Sequence, residues 1–132
     1  MKKRIYIAGP MRGKPDYNYP AFNEAAEKLR CDGWDVENPA DISDRFGPQD
    51  EIAKSFLFMD ADPTCVPPEL GMRDYIRQKG RLARKLVAYE LGVVASCDAI
   101  YLLKGWENSE GTRAELRTAL EHGLQIILEN TK

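Results

Sequence analysis

Short apolar runs alternate along the chain with segments that carry apolar residues at helical spacing. The run in RIYIAGP ends at Gly9 and Pro10, which is typical of a strand buried on both faces and followed by a turn. Pro20 and Gly33 then bracket a predicted helix. Its apolar positions are Phe22, Ala25, Ala26 and Leu29. WDVEN predicts a second, short strand.

The pattern is weak from Ser43 to Gly80 and clear again afterwards. In the weak part, DEIAKSFLFMD predicts one or two helical turns and DPTCVPPELG a proline-broken loop. RLARKLVAYELGVVAS then predicts a helix of about four turns. Its apolar positions are Leu82, Leu86, Tyr89, Val93 and Val94. AIYLL predicts an apolar strand. The next segment predicts a helix from Thr112 to His122 that is closed by Gly123, and QIIL predicts a last strand.

Strands that alternate with helices favour a three-layer α/β fold, because parallel neighbours need crossover connections. We therefore predict a single Rossmann-like (flavodoxin-like) domain over residues 1–132, with a mostly parallel sheet of about four to five strands. In such sheets ligands bind at the carboxyl ends of the strands.

Two loops are predicted to face each other at that edge. AGPMRGK follows the first strand, and its Gly9 and Gly13 allow close approach of a ligand while Arg12 offers donors suited to phosphate. KGWENSEGT follows the AIYLL strand and leads into the helix that carries Glu115. Simpler explanations stay open for each feature. The glycines of the first loop can form a plain turn, Arg12 can be a solvated arginine, and Glu115 can be favoured in the first turn of a helix by the helix dipole. The first loop matches neither the dinucleotide fingerprint nor a Walker loop.

Glu90 is harder to explain as a surface residue, because its neighbours at helical spacing are apolar. Glu90 lies roughly 9 Å along the helix axis before the predicted helix end at Ser96. This distance displaces it towards the sheet edge at the carboxyl ends of the strands, where ligands bind. Asp98 is predicted to lie at the opposite edge of the sheet, as a turn or capping residue. His122 is predicted to be a helix-end residue. Trp106 fits either a stacking platform for a substrate or a lid over the core.

Charge and cysteine usage exclude several classes of function. The formal net charge of −2 provides no basic field for polymeric nucleic acid. The chain has a single histidine and an odd number of cysteines, namely Cys31, Cys65 and Cys97. These counts argue against a disulfide framework or a zinc site, and they fit a reducing cytoplasm. The apolar run after MKKR is too short for a signal peptide or a membrane span. We expect no metal or organic cofactor.

Taken together, IYIAGPMRG, YELGVVASCDAIYLLKGWENSEGTRAE and GLQIIL resemble the nucleoside 2-deoxyribosyltransferase superfamily. The similarity is strongest to small members, many from bacteriophage genomes, and to the 2'-deoxynucleoside 5'-phosphate N-hydrolase branch. It covers both ends of the chain, residues 1–40 and 80–128.

The resemblance implies a catalytic set. Glu115 matches the nucleophilic glutamate that attacks C1' of the sugar, and Tyr6 matches a tyrosine that supports that carboxylate. Glu90 stands where relatives carry an aspartate that handles the proton of the leaving base. Ser109 falls on a phosphate-binding serine of the hydrolase branch, where transferases have an aspartate. The implied substrate-binding residues are Gly9, Pro10, Arg12, Gly13, Asn108, Ser109 and Gly111.

The implied activity is cleavage of the N-glycosidic bond of a nucleoside or deoxynucleoside 5'-monophosphate, which releases base and sugar phosphate. Transfer of the sugar between bases, nucleotide binding without turnover, and a purely structural domain are the alternatives. Relatives imply a homodimer or higher oligomer. We expect Gly111 and Thr112 to start the last helix, and the helix N-terminus near Arg12 to oppose the pKa rise that burial causes at Glu115.

Overall fold

The structure, a computed structural model, is built on a parallel sheet and describes residues 2–59 and 73–129. In this part of the chain the strands are β1 (Arg4–Ala8), β2 (Asp35–Glu37), β3 (Ala99–Leu102) and β4 (Gln125–Leu128). They lie in the order β2-β1-β3-β4, and every neighbouring pair is parallel. With helices on both faces, the fold is the predicted three-layer, Rossmann-like architecture, and the strand order is of the flavodoxin type.

Helices connect the strands. They are α1 (Tyr19–Cys31), α2 (Pro39–Phe46), α3 (Gln49–Phe56), α4 (Arg73–Lys79), α5 (Arg81–Ser96) and α6 (Glu110–Glu121). Short 3-10 turns cover Pro15–Asn18 and Trp106–Asn108. The predicted helices correspond to α1, α3, α5 and α6, whereas α2 and α4 were not predicted. The proline-broken loop predicted for DPTCVPPELG falls on residues outside the described ranges. Among the described helices, none combines the length and apolarity needed to cross a bilayer.

The chain divides into two compact units. One comprises Met1–Ile42 and Tyr89–Lys132, and the other comprises Ser43–Ala88. The first unit contains the entire described sheet, together with α1 and α6. In the second unit the hydroxyl of buried Ser55 accepts a hydrogen bond of 2.8 Å from the backbone N–H of Ala83. The candidate site lies in the first unit.

Alternation along β1 directs its side chains to two different layers. Ile5 and Ile7 pack towards α1. Their buried neighbours on that face are Phe22, Ala25, Ala26, Leu29, Ala40, Ala99, Tyr101 and Leu103. Tyr6 points to the opposite face and is 0% exposed, so its hydroxyl must find a hydrogen-bond partner within the protein.

The amino ends of the strands are tied together by polar contacts. The carboxylate of Asp98 accepts a hydrogen bond of 2.9 Å from the backbone N–H of Arg4. The guanidinium of Arg4 donates to Ser96 at 3.0 Å and to Glu37 at 2.5 Å. Asp98 therefore serves the edge opposite the candidate site, as the sequence predicted, and the end of α5 is anchored beside β1.

Candidate functional site

The candidate site lies at the carboxyl ends of β1 and β3, where the strand order reverses and α/β sheets bind ligands. A Cβ atom placed on Gly9 would lie 2.7 Å from the Cβ of Leu103, and one placed on Gly105 would lie 3.5 Å from Pro10. The backbone N–H of Leu103 also donates to Ala8 at 2.8 Å. The loops after β1 and β3 are therefore in contact, as predicted, and glycine permits that contact.

The loop after β1 is held by an unusual turn. Asp16, Tyr17 and Asn18 have φ values of 52°, 52° and 62°, a left-handed conformation that costs a non-glycine residue about 1 kcal/mol. The side-chain amide of Asn18 donates a hydrogen bond of 2.8 Å to the carbonyl of Pro10. The turn thus fixes the backbone of the loop that faces β3.

A buried phenol brings two carboxyl groups together at this edge. The hydroxyl of Tyr6 lies 3.0 Å from Oε2 of Glu90 and is also hydrogen-bonded to Oε2 of Glu115. The three side chains come from β1, α5 and α6, and both glutamates are partly buried. The structure therefore unites the three residues that the sequence proposed as catalytic.

Helix geometry explains why Glu90 reaches Tyr6. Arg4 and Tyr6 lie two positions apart in β1 and so point to the same face of the sheet. Arg4 contacts Ser96 at the end of α5, and Glu90 lies six residues earlier, roughly 9 Å back along the helix axis. Because α5 runs antiparallel to β1, this displacement carries Glu90 alongside Tyr6.

Burial dominates the electrostatics of these groups. It raises the pKa of Glu90 from 4.5 to about 7, and it raises the pKa of Glu115 well above its usual range, with the charge of Glu90 adding to the rise. Hydrogen bonding with Tyr6 lowers the pKa of each carboxyl but does not offset burial. Burial and both carboxylates also raise the pKa of Tyr6, so its hydroxyl keeps its proton.

The helix N-terminus near Arg12 was expected to oppose the pKa rise at Glu115, but burial prevails and the pKa is raised well above its usual range. Among the described residues, no basic side chain contributes to the pKa shift of either carboxyl. Removal from water outweighs the one hydrogen bond that favours the carboxylate of Glu115. Among the described residues, therefore, no basic side chain that shifts these pKa values offsets the negative charge of the pair when it ionises.

These shifts predict that the folded chain loses stability as pH rises. Both carboxyls release protons near pH 4.5 when unfolded, but when folded Glu90 holds its proton to about pH 7, and the pKa of Glu115 is raised well above 4.5. The folded state therefore binds more protons between these values. We expect the free energy of unfolding to fall through this window by up to about 1.4 kcal/mol per pH unit for each proton, and less where water reaches the groups.

Urea unfolding from pH 5 to pH 9 measures this slope. The Glu90→Gln variant should show a shallower fall, since only Glu115 then retains an extra proton. Glu121→Gln removes an exposed carboxylate from the end of α6 and should keep the wild-type slope. A wild-type slope of zero, or one that Glu90→Gln leaves unchanged, would contradict the assigned shifts.

Ser109 caps the helix that carries Glu115. Its hydroxyl oxygen accepts hydrogen bonds from the backbone N–H of Thr112 at 3.2 Å and from the hydroxyl of Thr112 at 2.9 Å. Helix α6 therefore begins at Glu110 rather than at Gly111, because the cap precedes the position that was predicted. Since both contacts use the oxygen of Ser109 as acceptor, its proton can be donated to a ligand.

The remaining predicted binding residues lie in the same two loops. Arg12, Gly13, Asn108 and Gly111 are exposed, and Gly13 has a φ of 79° that favours glycine. Their exposure is compatible with ligand contact. Trp106 is half-buried in the 3-10 turn after β3.

The helix-end assignment of His122 is confirmed. His122 is the C-cap of α6, and its Nδ1 lies 3.0 Å from the carbonyl of Thr118. It is exposed at the far end of that helix from Ser109.

Sequence reasoning missed residues that support the site. Leu103 packs on Gly9, Asn18 holds Pro10, and buried Thr112 engages Ser109. Ser109 belongs to the residue types preferred at helix N-caps, so it was a usable signal for the start of α6. The contact of Asn18 had no local signal, because it depends on the left-handed turn.

Residues 2–59 and 73–129 contain no group of three or more side chains placed to hold a metal ion. Cys31 is an exposed free thiol and Cys97 a buried one, while Cys65 lies outside the described residues.

Comparison with known proteins assigns a family but no activity. A search of curated proteins finds no significant match. The family model described as Domain of unknown function (DUF4406) matches residues 3–128, which is nearly the whole chain. The chain therefore belongs to the DUF4406 family.

Proposed function

We propose that this protein cleaves the N-glycosidic bond of a nucleoside or deoxynucleoside 5'-monophosphate and releases the free base and the sugar phosphate. The observation that carries the proposal is the pair Glu90 and Glu115, joined through Tyr6 at the ligand-binding edge of the sheet. The resemblance to nucleoside 2-deoxyribosyltransferases supplies the substrate class.

The charge of the pair suits this reaction. Cleavage of an N-glycosidic bond passes through a sugar with oxocarbenium character, so positive charge develops at C1'. The partly buried carboxyls face no basic side chain among the described residues that shifts their pKa. A negative charge in such a setting attracts a developing cation more strongly than it would in water.

The separation of the carboxyls favours a covalent intermediate. Oxygens of Glu90 and Glu115 each hydrogen-bond to the same Tyr6 oxygen, so they lie at most about 6 Å apart. Inverting glycosidases place their carboxyls about 6.5–9.5 Å apart, whereas retaining enzymes place them closer. The spacing therefore supports attack by one carboxylate followed by hydrolysis of a glycosyl ester.

The residues divide the steps between them. The carboxylate of Glu115 forms a bond to C1' while the C1'–N bond breaks and its electron pair leaves with the base. Glu90 donates its proton to that base. Water then attacks C1', gives a proton to Glu90, and releases Glu115 as a carboxylate. Both glutamates end in the state in which they began.

The loop before α6 is the proposed phosphate site. Ser109 has a proton to donate, and the N-terminus of α6 presents backbone N–H groups and a favourable dipole to an anion. Arg12, Gly13 and Asn108 are exposed in the facing loops and can add donors. This arrangement supports a 5'-monophosphate over a free nucleoside.

A screen for base release tests the proposal. The protein is incubated with ribo- and deoxyribonucleoside 5'-monophosphates of each base, and the free base is measured by chromatography. We expect release from at least one of them, with Glu115→Gln as the inactive control. No release from any monophosphate at high protein concentration would overturn the proposal. Adding a second, labelled base distinguishes hydrolysis from transfer, since only a transferase forms the new nucleotide.

One observation favours a second candidate, a nucleotide-binding module without turnover. The pKa of Glu115 is raised well above its usual range, and a protonated carboxyl is a poor nucleophile. Calorimetry that finds tight monophosphate binding, combined with no released base, would select this alternative.

Replacing Ser109 should change the preference for phosphate. Aspartate also caps helices, so Ser109→Asp is expected to fold, but its charge repels the phosphate of the ligand. We expect kcat/KM for the monophosphate to fall relative to the nucleoside by on the order of 10-fold or more. Ser109→Asn is the matched control, since it caps as well without charge. Equal effects of both variants would show that Ser109 does not face phosphate.

We also propose a cytoplasmic homodimer or larger homo-oligomer. The free thiols of Cys31 and Cys97 support a reducing compartment. The oligomer is supported by the family resemblance, and light scattering of the purified protein tests it.

A further inference from the structure

The hydroxyl of Tyr6 has more partners than it can satisfy as a donor. A phenol carries a single proton, so it can donate to either Glu90 or Glu115. Both contacts are hydrogen bonds only if the second carboxyl is itself protonated and donates to the phenol oxygen. The geometry therefore requires that one of the two carboxyls is protonated and the other is ionised, with Tyr6 between them.

We propose that Tyr6 transfers a proton between Glu115 and Glu90, so that a single proton serves both carboxyls. In this step the proton on Glu115 moves to the Tyr6 oxygen while the proton of Tyr6 moves to Glu90. Two O–H bonds break and two form, Tyr6 is again a neutral phenol, and the net charge of the three groups is unchanged. Its catalytic consequence rests on the proposed function.

The transfer resolves a conflict in the site. Burial and the charge of Glu90 raise the pKa of Glu115 and so favour its protonated form, whereas the reaction needs Glu115 ionised and Glu90 protonated. One transfer through Tyr6 produces both required states at once. The charged groups that act on Tyr6 from the packed elements are Glu115 of α6 and Glu90 of α5, and no basic group among the described residues competes.

Infrared spectroscopy of the protein without ligand tests the shared proton. At about pH 8 an ordinary glutamate is ionised, so we expect the carbonyl band of one protonated carboxyl per chain. The band should disappear in Glu115→Gln and persist in Glu121→Gln. A wild-type spectrum without a protonated carboxyl would overturn the proposal, whether or not a substrate is found.

Kinetics of Tyr6→Phe separate proton transfer from simple positioning. A 7-methylpurine leaves the sugar as a neutral base and needs no proton, whereas an ordinary purine does. We expect Tyr6→Phe to lower kcat on the ordinary nucleotide at least 10-fold more than on the 7-methylpurine nucleotide, each at its own optimal pH. Equal losses on both would assign Tyr6 a positioning role only and overturn the transfer.

A double-mutant comparison gives a further readout. If Tyr6 and Glu90 act in the same proton step, Tyr6→Phe combined with Glu90→Gln should be no slower on the ordinary nucleotide than Glu90→Gln alone. Multiplicative losses would count against the transfer. If no nucleotide is turned over, the proposed function fails, and the infrared result still decides whether the carboxyls share a proton.

Discussion

Glu115→Gln is expected to lower base release by on the order of 10³-fold or more, because glutamine cannot form the glycosyl ester. The substitution keeps the shape of a partly buried side chain and removes a charge that the described protein does not neutralise. Folding stability at alkaline pH should therefore be retained or raised. The measurement is kcat/KM for the best monophosphate from the screen, with thermal unfolding run beside it.

Glu121→Gln is the matched control for this prediction. It removes the same charge from the same helix, but from an exposed position in the last turn, and should leave kcat/KM unchanged. If Glu115→Gln retained more than about a tenth of wild-type activity, a loss of under about 1.4 kcal/mol, Glu115 would not be the nucleophile.

Glu90→Gln is expected to lower kcat by about 10²- to 10⁴-fold, the usual contribution of a general acid. It should also change the dependence of rate on pH. The wild-type pair loses its first proton with a pKa of about 7, which leaves Glu115 or Glu90 ionised, and its second at higher pH. Activity should therefore rise through pH 7 and fall again when both are ionised.

Without Glu90 the alkaline fall should vanish, since no general acid remains to be deprotonated. The rising limb should stay in place or move to higher pH, because Glu115 must then ionise alone and burial still raises its pKa. Rate profiles of both proteins over the same pH range check this. A Glu90→Gln variant with wild-type kcat and an unchanged profile would remove Glu90 from the mechanism.

Much of the fold was predictable because its signals are local. The apolar run of β1 and the helical spacing of Phe22 and Leu29 lie within single elements, and both were found where expected. Helix rise alone placed Glu90 at the correct edge. By contrast, α2 and α4 were missed. They span eight and seven residues, and at this length, which α3 shares, a periodic pattern is a weak signal.

The candidate site was predictable in its members but not in its electrostatics. Tyr6, Glu90 and Glu115 were proposed together, and the structure joins them. The size of the pKa rise at Glu115 did not follow from the sequence, because a pKa depends on how much water and which charges surround a group in space. Nothing in the sequence around Asn18 indicated its hydrogen bond to the carbonyl of Pro10.

The placement of the proposed catalytic groups has a consequence for how this scaffold could be diversified. Tyr6, Glu90 and Glu115 project from a strand and two helices, whereas Arg12 and Asn108 belong to connecting segments. Connecting segments tolerate insertion and exchange far better than the framework that carries them. If the proposed function holds, swapping the segments after β1 and β3 is a route to new base or sugar preferences that leaves the three proposed catalytic side chains in place.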